Sequence, residues 1–323
     1  MQYAHLGRSG LTVSRLCLGT MNFGPHTKEA DAHAIMDAAL DAGINYFDTA
    51  NTYGWRRGQG ITEQIIGRWF AKGEHRRDRT VLATKVYGTM GDGPNESRLS
   101  ARHIRDAIEG SLRRLQTDHI DIYQMHHLDR DSPFDEIWQA METLVRQGKI
   151  LYAGSSNFPG WAIAAAQESA QSRHFFGLVS EQCLYNLLVR NAEEEVLPAA
   201  AHYGLGVVCW GPLHGGLLSG VIAERTDSGR TASNRAKDEL RKHRSRVEKF
   251  ESLCAELGRP PADVALGWLL AQPVVTAPII GPRTVGQLQA SLAAVDLTLD
   301  PEVLAKLDKI SPGPGPATES WAW

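Results

Sequence analysis

Short β-rich runs and helical patterns alternate with hardly a break along this chain. LCLG is followed by KEADAHAIMDAALDAG, whose apolar residues recur at helical spacing up to Gly43. INYF is followed by ITEQIIGRWFAKG, VLATK by LSARHIRDAIEGSLRRLQ, and DIYQM by SPFDEIWQAMETLVRQG. ILYAGSS leads to a helix from Phe158 to about Ala170, and LVSEQ to one near Ala192 to His202. GVVCW and TAPIIG supply the last two strands, with helical segments between and after them. Strands separated by helices run parallel, because a parallel neighbour is reached only through a long crossover. Eight such units in 323 residues suit a closed (β/α)8 TIM barrel of the α/β class. The competing arrangement, an open doubly wound sheet, would carry GxGxxG after its first strand. Here the first strand runs into GTMNFGPH, which does not fit, and no other strand carries that motif.

Ahead of the barrel, YAHL and LTVSRL flank the turn signal GRSG, so an N-terminal β-hairpin is expected. The whole of 1–323 reads as one barrel domain. The segment from Leu213 to Gly258 exceeds a normal connection and contains ERTDSGRTASNRAKDELRKHRSR. A loop plus an extra helix over the barrel mouth is expected there, with most of the arginines on a solvated face. The end of the chain, 311–323, is SPGPGPATESWAW and reads as an irregular tail.

Charge and composition narrow the partners. The formal net charge is -3, which gives no electrostatic case for nucleic acid or a membrane surface. No apolar stretch is long enough to span a bilayer, and MQYAHLGRSG lacks the apolar core of a signal peptide. Cys17, Cys183, Cys209 and Cys254 are far apart and form no CxxC, so reduced thiols in a cytoplasmic protein are expected.

In a barrel, residues at the C-terminal strand ends gather at one mouth. FDTANTYG puts Asp48 and Tyr53 after the second strand, VLATK ends at Lys85 on the third, and DIYQMH reaches His126 on the fourth. A phenol is a poor acid, with a reference pKa of about 10, and a nearby ammonium is expected to lower it. Lys85 would supply that charge and Asp48 would hold Lys85 charged and oriented. His126 could hydrogen-bond the oxygen that Tyr53 protonates, giving a proton-donor site for a developing alkoxide. Singly, each residue has an ordinary reading as a cap, a surface charge, a packed aromatic or a satisfied core histidine; four at neighbouring strand ends are harder to explain so. No serine or cysteine nucleophile joins the cluster. His126 and His127 are adjacent and expected to face opposite ways, so a metal site is not expected. Glu181 could pair with Asp48 in a sugar-processing barrel, but it would face the helices if Gln182 faces the mouth.

A proton donor to an oxygen suggests carbonyl reduction if a hydride source lies nearby. GSSNF places Ser155, Ser156 and Asn157 after the fifth strand, and SEQ places Gln182 after the sixth. These groups can fix a carboxamide, or the serines can simply cap the next helix. Trp210 ends the seventh strand and could stack on a flat ring. The glycines that follow let backbone amides approach phosphate oxygens. GPRT puts Arg283 at a helix start, a reasonable anion site, or a plain surface arginine.

These motifs, in this order, resemble the aldo-keto reductase family from LGRSGLTVSRLCLGTMNFG to TAPIIGPRTVGQL, most closely its bacterial reductases with a long loop after strand seven. The resemblance implies a (β/α)8 barrel with a hairpin closing its bottom, and reduction of a small-molecule carbonyl substrate with NADP(H), without metal or flavin. It implies Tyr53 as general acid, Lys85 and Asp48 as its tuning pair, and His126 as the residue orienting the carbonyl. Ser156, Asn157 and Gln182 would hold the carboxamide and Trp210 would stack on the nicotinamide. Gly19, Thr20 and Met21 would border the cofactor, and Leu213 and Gly216 would lie near the pyrophosphate. Arg283 would meet the 2′-phosphate, Gln287 would lie near adenine, and Gly281 would be a further cofactor-binding residue. Two departures stand out. Ala290 and Ser291 occupy places where the family often has an acidic residue and an asparagine. His127 replaces an aromatic residue that often follows the histidine, which implies a more polar pocket. Trp55, Tyr87, His127 and Trp321 are candidate pocket residues. The chain is also similar to enzymes proposed to reduce nucleotide-linked deoxysugar intermediates. Barrels of this family also serve as cofactor-sensing subunits of membrane channels, which is the second functional class to separate.

Overall fold

The computed structural model describes residues 1–55, 57–222 and 234–315, and of Arg235 the backbone only. Strands β1 (Tyr3–His5) and β2 (Thr12–Ser14) pair antiparallel as the expected hairpin. Then come β3 (Cys17–Gly19), α1 (Glu29–Asp41), β4 (Tyr46–Asp48), α2 (Ile61–Phe70), β5 (Val81–Val86), α3 (Ala101–Leu115), β6 (Ile120–Met125) and α4 (Phe134–Arg146). The second half holds β7 (Ile150–Ser156), α5 (Gly160–Ser172), β8 (Leu178–Leu184), α6 (Val196–Tyr203), β9 (Gly206–Trp210), α7 (Asn234–Glu256), α8 (Pro261–Leu270), β10 (Val275–Ile280), α9 (Val285–Leu292) and α10 (Pro301–Ile310). Strands β3 to β10 close into one parallel barrel in the order β10-β3-β4-β5-β6-β7-β8-β9. The protein is a (β/α)8 TIM barrel with an N-terminal hairpin.

The helices form where the pattern demands. In α3, Ile104, Ile108, Leu112 and Leu115 recur on one buried face, and Ser100 caps the helix by accepting the His103 N–H. The larger core lies between sheet and helices and includes Trp69, Trp138 and Trp268. A smaller core fills the barrel itself, from Cys17, Tyr46, Ala83, Ile122, Val179, Val208 and Ala277, with Leu6 and Val13 of the hairpin segment plugging the bottom. The plug sits tight. A side chain at Gly7, which has φ 56°, would meet Gly204 O and Gly206 N at 2.5 Å.

Alternation along the strands then dictates what lies above this apolar layer. Two residues on from Tyr46 comes Asp48, from Ala83 Lys85, from Ile122 Gln124, and from Val208 Trp210, each on the same face as its predecessor. The β8 strand breaks this rule: its register against β7 slips between Ala153 and Gly154, which pair with Leu178 and Ser180. The slip brings Gln182, three residues on from Val179, to the inner face, and turns Glu181 outward. The barrel is thus apolar below and polar above, with the change at one layer.

The helix expected in the long segment after β9 is α7. Val247, Phe250, Leu253 and Cys254 are buried. They seat its C-terminal half beside α8 and α10, and its N-terminal half reaches the loop after β9, where Glu239 meets His214. Of the expected tail, residues 311–315 are described and carry neither helix nor strand; Trp321 lies outside the described residues. Among the described residues no helix is long and apolar enough to cross a membrane.

Candidate active site

Asp48, Tyr53, Lys85 and His126 meet at the mouth. Lys85 is fully buried, and its Nζ donates to Asp48 Oδ2 at 2.7 Å, Thr49 O at 2.8 Å and Tyr53 Oη at 3.1 Å. All three ammonium donors are therefore used. Because Lys85 fills a lone pair of the phenol oxygen, the Tyr53 O–H is left free to donate to another group. The His126 ring lies edge-on to Tyr53 with centroids 6.0 Å apart.

The charges set the protonation states. Burial disfavours the Lys85 ammonium, but Asp48, then Tyr53, more than offset it, so its pKa is raised and it stays charged. Burial pushes the Tyr53 phenol up, while Lys85 pulls it down. The net shift is upward. The expectation of a lowered phenol pKa is therefore corrected: the low-dielectric site opposes the phenolate more than the ammonium favours it. Tyr53 rests as a protonated acid. Burial, then Lys85 and His127, push the His126 imidazole down to about 2, so it is neutral at any physiological pH. Tyr53 is then the group with a proton to give, and His126 can only offer a hydrogen bond.

Gln124 is a further member that sequence reasoning missed. Its Nε2 donates to Asp48 Oδ1 at 3.2 Å, beside Gln182 Nε2 at 2.7 Å. With Lys85 these amides hold the Asp48 carboxylate from both oxygens. The signal was present: Gln124 stands two residues after Ile122 of the barrel interior, a polar residue on the inward face of its strand.

His126 and His127 also differ from expectation. Their rings stack at 5.0 Å and 8° instead of facing opposite ways, because β6 ends at Met125 and the chain bends. Tyr87 continues the row, 5.2 Å from His127. These rings form one wall beside Tyr53. Trp55, 64% exposed, packs edge-on against His26 at 4.6 Å. Glu181 faces away from the mouth and accepts from Ser155 Oγ at 2.5 Å and the Phe158 N–H at 3.0 Å. It is no second carboxylate for Asp48. Burial raises its pKa to about 8.

The groups expected around a nicotinamide dinucleotide fall along β7 to β10 and β3. Ser156 Oγ donates to Gln182 O at 2.9 Å, and Asn157 Nδ2 to His126 O at 3.1 Å. Asn157 Oδ1 accepts the Trp210 indole N–H at 3.0 Å. That bond fixes the indole plane, and Trp210 is 38% exposed at the end of a strand that is otherwise buried. A large ring held by its edge with a bare face is a stacking platform. Beyond it Gly211, His214, Gly215 and Gly216 all have positive φ, so the turn containing Leu213 and Gly216 exposes backbone rather than side chains. Gly19 and Thr20 are buried, with Thr20 Oγ1 donating to Asp48 O, and Met21 is exposed. Gly281 O accepts from Asn22. Arg283 precedes the N-cap Thr284 of α9, and Gln287 Oε1 accepts the Arg283 N–H at 2.8 Å. Gln287 thus braces the turn that carries Arg283, whose guanidinium has no carboxylate partner among the described residues. Ala290 is exposed and Ser291 Oγ bonds back to Gln287 O. An exposed indole, a glycine turn and a guanidinium without a carboxylate partner among the described residues are the group types that a ring, a pyrophosphate and a phosphate call for, so the residues present fit such a cofactor.

Comparisons with known proteins agree with this geometry. The model of the Aldo/keto reductase family matches residues 15–312. An uncharacterised oxidoreductase of Bacillus subtilis (strain 168), YrpG, is 58% identical over 328 residues, covering 100% of both chains. A protein of Oryza sativa subsp. japonica named a probable voltage-gated potassium channel subunit beta is 34% identical over 99% of this chain and 100% of its own. The versiconal hemiacetal acetate reductase of Aspergillus parasiticus is 31% identical over 96% of each chain.

Proposed function

The chain belongs to the aldo/keto reductase family, and from that premise we propose that its mouth reduces an aldehyde or ketone to the alcohol with NADPH, Tyr53 giving the proton. The observation that carries the reading is the Lys85 ammonium 3.1 Å from the Tyr53 oxygen, with a neutral His126 beside it. A bound nicotinamide supplies the hydride. The chain's own residues do the rest. The neutral His126 imidazole donates a hydrogen bond to the carbonyl oxygen and fixes its lone pairs toward Tyr53. As negative charge develops on that oxygen, the Tyr53 O–H moves its proton across. Lys85 stabilises the phenolate left behind, and Asp48, braced by Gln124 and Gln182, keeps Lys85 in place. Trp210 would support the nicotinamide ring, and Arg283 would meet the 2′-phosphate that distinguishes NADPH.

Reduction of a nucleotide-linked keto sugar is the narrower reading of the same chemistry, favoured by the polar wall that His126 and His127 build. A cofactor-sensing channel subunit is the second class, raised by the rice relative's name. The complete proton-donor set favours catalysis. The test is to add an aromatic aldehyde to the protein with NADPH and measure both NADPH loss and alcohol. Stoichiometric conversion over many turnovers is expected. Tight NADPH binding without turnover, across aldehydes, ketones and keto sugars, would overturn the enzyme reading.

A further inference from the structure

We propose that His214, Glu239 and His243 form a binding site for one divalent transition-metal ion of the zinc class, which ties the loop after β9 to helix α7. His214 stands in the glycine turn after Trp210, and its φ of 47° holds it in the left-handed region. Glu239 and His243 lie one turn apart on α7 and so share a face. The three ligand atoms all lie within 4.8 Å of one another. His214 Nε2 is 3.4 Å and His243 Nε2 is 3.6 Å from the same oxygen, Glu239 Oε2.

Those spacings decide between two uses of the cluster. As hydrogen bonds they are long: His214 reaches Glu239 Oε2 at 3.4 Å and His243 only at 3.6 Å, against about 2.7–2.9 Å for a charged N–H to a carboxylate. For a tetrahedral ion they fit. Bonds of about 2.0–2.2 Å to nitrogen and oxygen put neighbouring ligands about 3.3–3.5 Å apart. The side chains are mostly shielded, at 14%, 27% and 14% exposure, which leaves one side open for a water as fourth ligand. Lys242 Nζ binds the other Glu239 oxygen at 2.6 Å, so Oε2 is the one turned to the imidazoles. Sequence spacing hid the site because its two histidines lie on separate segments, and only the packing of α7 against the loop joins them.

One neighbour opposes the ion and provides a signature. Arg246 Nη2 lies 2.6 Å from His243 Nδ1, so without metal Nδ1 is the bare nitrogen and Nε2 carries the proton. Metal on Nε2 requires that proton to move to Nδ1 and Arg246 to swing away, keeping its contact with Ser311 Oγ at 3.3 Å. Arg246 therefore holds the affinity down.

The test uses the untagged full chain after chelator treatment, titrated with Zn²⁺ by calorimetry and with Co²⁺ by visible absorption. One ion per chain and a tetrahedral Co²⁺ spectrum are expected. His214→Ala and His243→Ala should each weaken binding by at least about 100-fold, more than loss of an outer-shell partner does. Arg246→Leu should tighten it, a gain that misfolding cannot imitate. A wild-type chain that takes up no ion, histidine variants that bind as tightly as wild type, or weaker binding in Arg246→Leu would each overturn the site.

Discussion

At the mouth of the barrel Asp48, Lys85 and Tyr53 bond to one another; at its floor Arg8 and Arg15 are held by backbone carbonyls. Arg8 Nη1 donates to Tyr203 O at 2.9 Å and Leu178 O at 3.2 Å, and Nη2 to Phe176 O. Arg15 donates to Val275 O at 2.7 Å and Leu270 O at 2.6 Å. Tyr203 and Leu270 end α6 and α8, so these guanidiniums satisfy helix C-terminal carbonyls and complement the dipoles there. A cleft of about 500 Å³ lies at this floor, lined by both arginines and the exposed His5, yet its lining brings no lysine, phenol and carboxylate together as the mouth does. The difference teaches that volume does not mark the chemistry of a barrel. Titratable groups that perturb one another and leave one proton free to donate do.

The comparison breaks most visibly at Tyr53. Tyr53→Phe removes the proton donor but leaves the nucleotide contacts on other strands, so turnover should fall by about 10²–10⁴-fold while the NADPH dissociation constant holds. Turnover at the parent rate would move the acid elsewhere. Next in size is Arg283→Ala. Charged hydrogen bonds contribute about 1.5–3 kcal/mol, so NADPH affinity should drop by roughly 10- to 150-fold. NADH affinity should hardly change, as tryptophan fluorescence quenching would report. Equal losses for both nucleotides contradict the 2′-phosphate assignment.

The floor should answer in stability instead. Arg8→Met takes the guanidinium donors from the carbonyls of Tyr203 and Phe176, and should cost about 1–3 kcal/mol in urea unfolding while turnover per folded molecule stays at the parent value. A catalytic defect there would collapse the contrast between the two ends. A pH-dependent effect on stability, rather than on turnover, is expected from Glu181. Its folded pKa of about 8 is raised above the ordinary carboxyl value, so the native state binds the extra proton. Stability from this group is complete below about pH 4.3 and is lost as pH rises through about 8. Glu181→Gln should flatten that slope, and an unchanged slope would assign it to another group.

Much of this was legible beforehand, for a physical reason. Period-2 and period-3.6 patterns act locally, so the alternation of LCLG through TAPIIG announced the barrel, and strand ends announced Asp48, Lys85 and His126. What was hidden depends on balances and on packing. The β8 slip that brings Gln182 inward leaves no mark in LVSEQ. The upward shift of Tyr53 follows from a contest between burial and Lys85 that only coordinates can weigh. The stacked His126 and His127 depend on where β6 stops pairing. The seat of α7 against α8 and α10 depends on which face Val247 and Phe250 find to cover.

The central claim is that a protonated Tyr53, with no help from an imidazolium, supplies the proton. Its most direct test is the pH dependence of both reaction directions in one protein, with nucleotide saturating. Reduction needs the protonated phenol, so its rate constant should stay level through the range near pH 6.5 where an ordinary histidine titrates. It should fall only in the alkaline range as Tyr53 ionises. Alcohol oxidation needs the phenolate and should rise through the same limb. Lys85→Met, which removes the charge that favours the phenolate, should move both limbs to higher pH. A limb near pH 6.5 in either direction, or alkaline limbs that stay in place in Lys85→Met, would contradict the account.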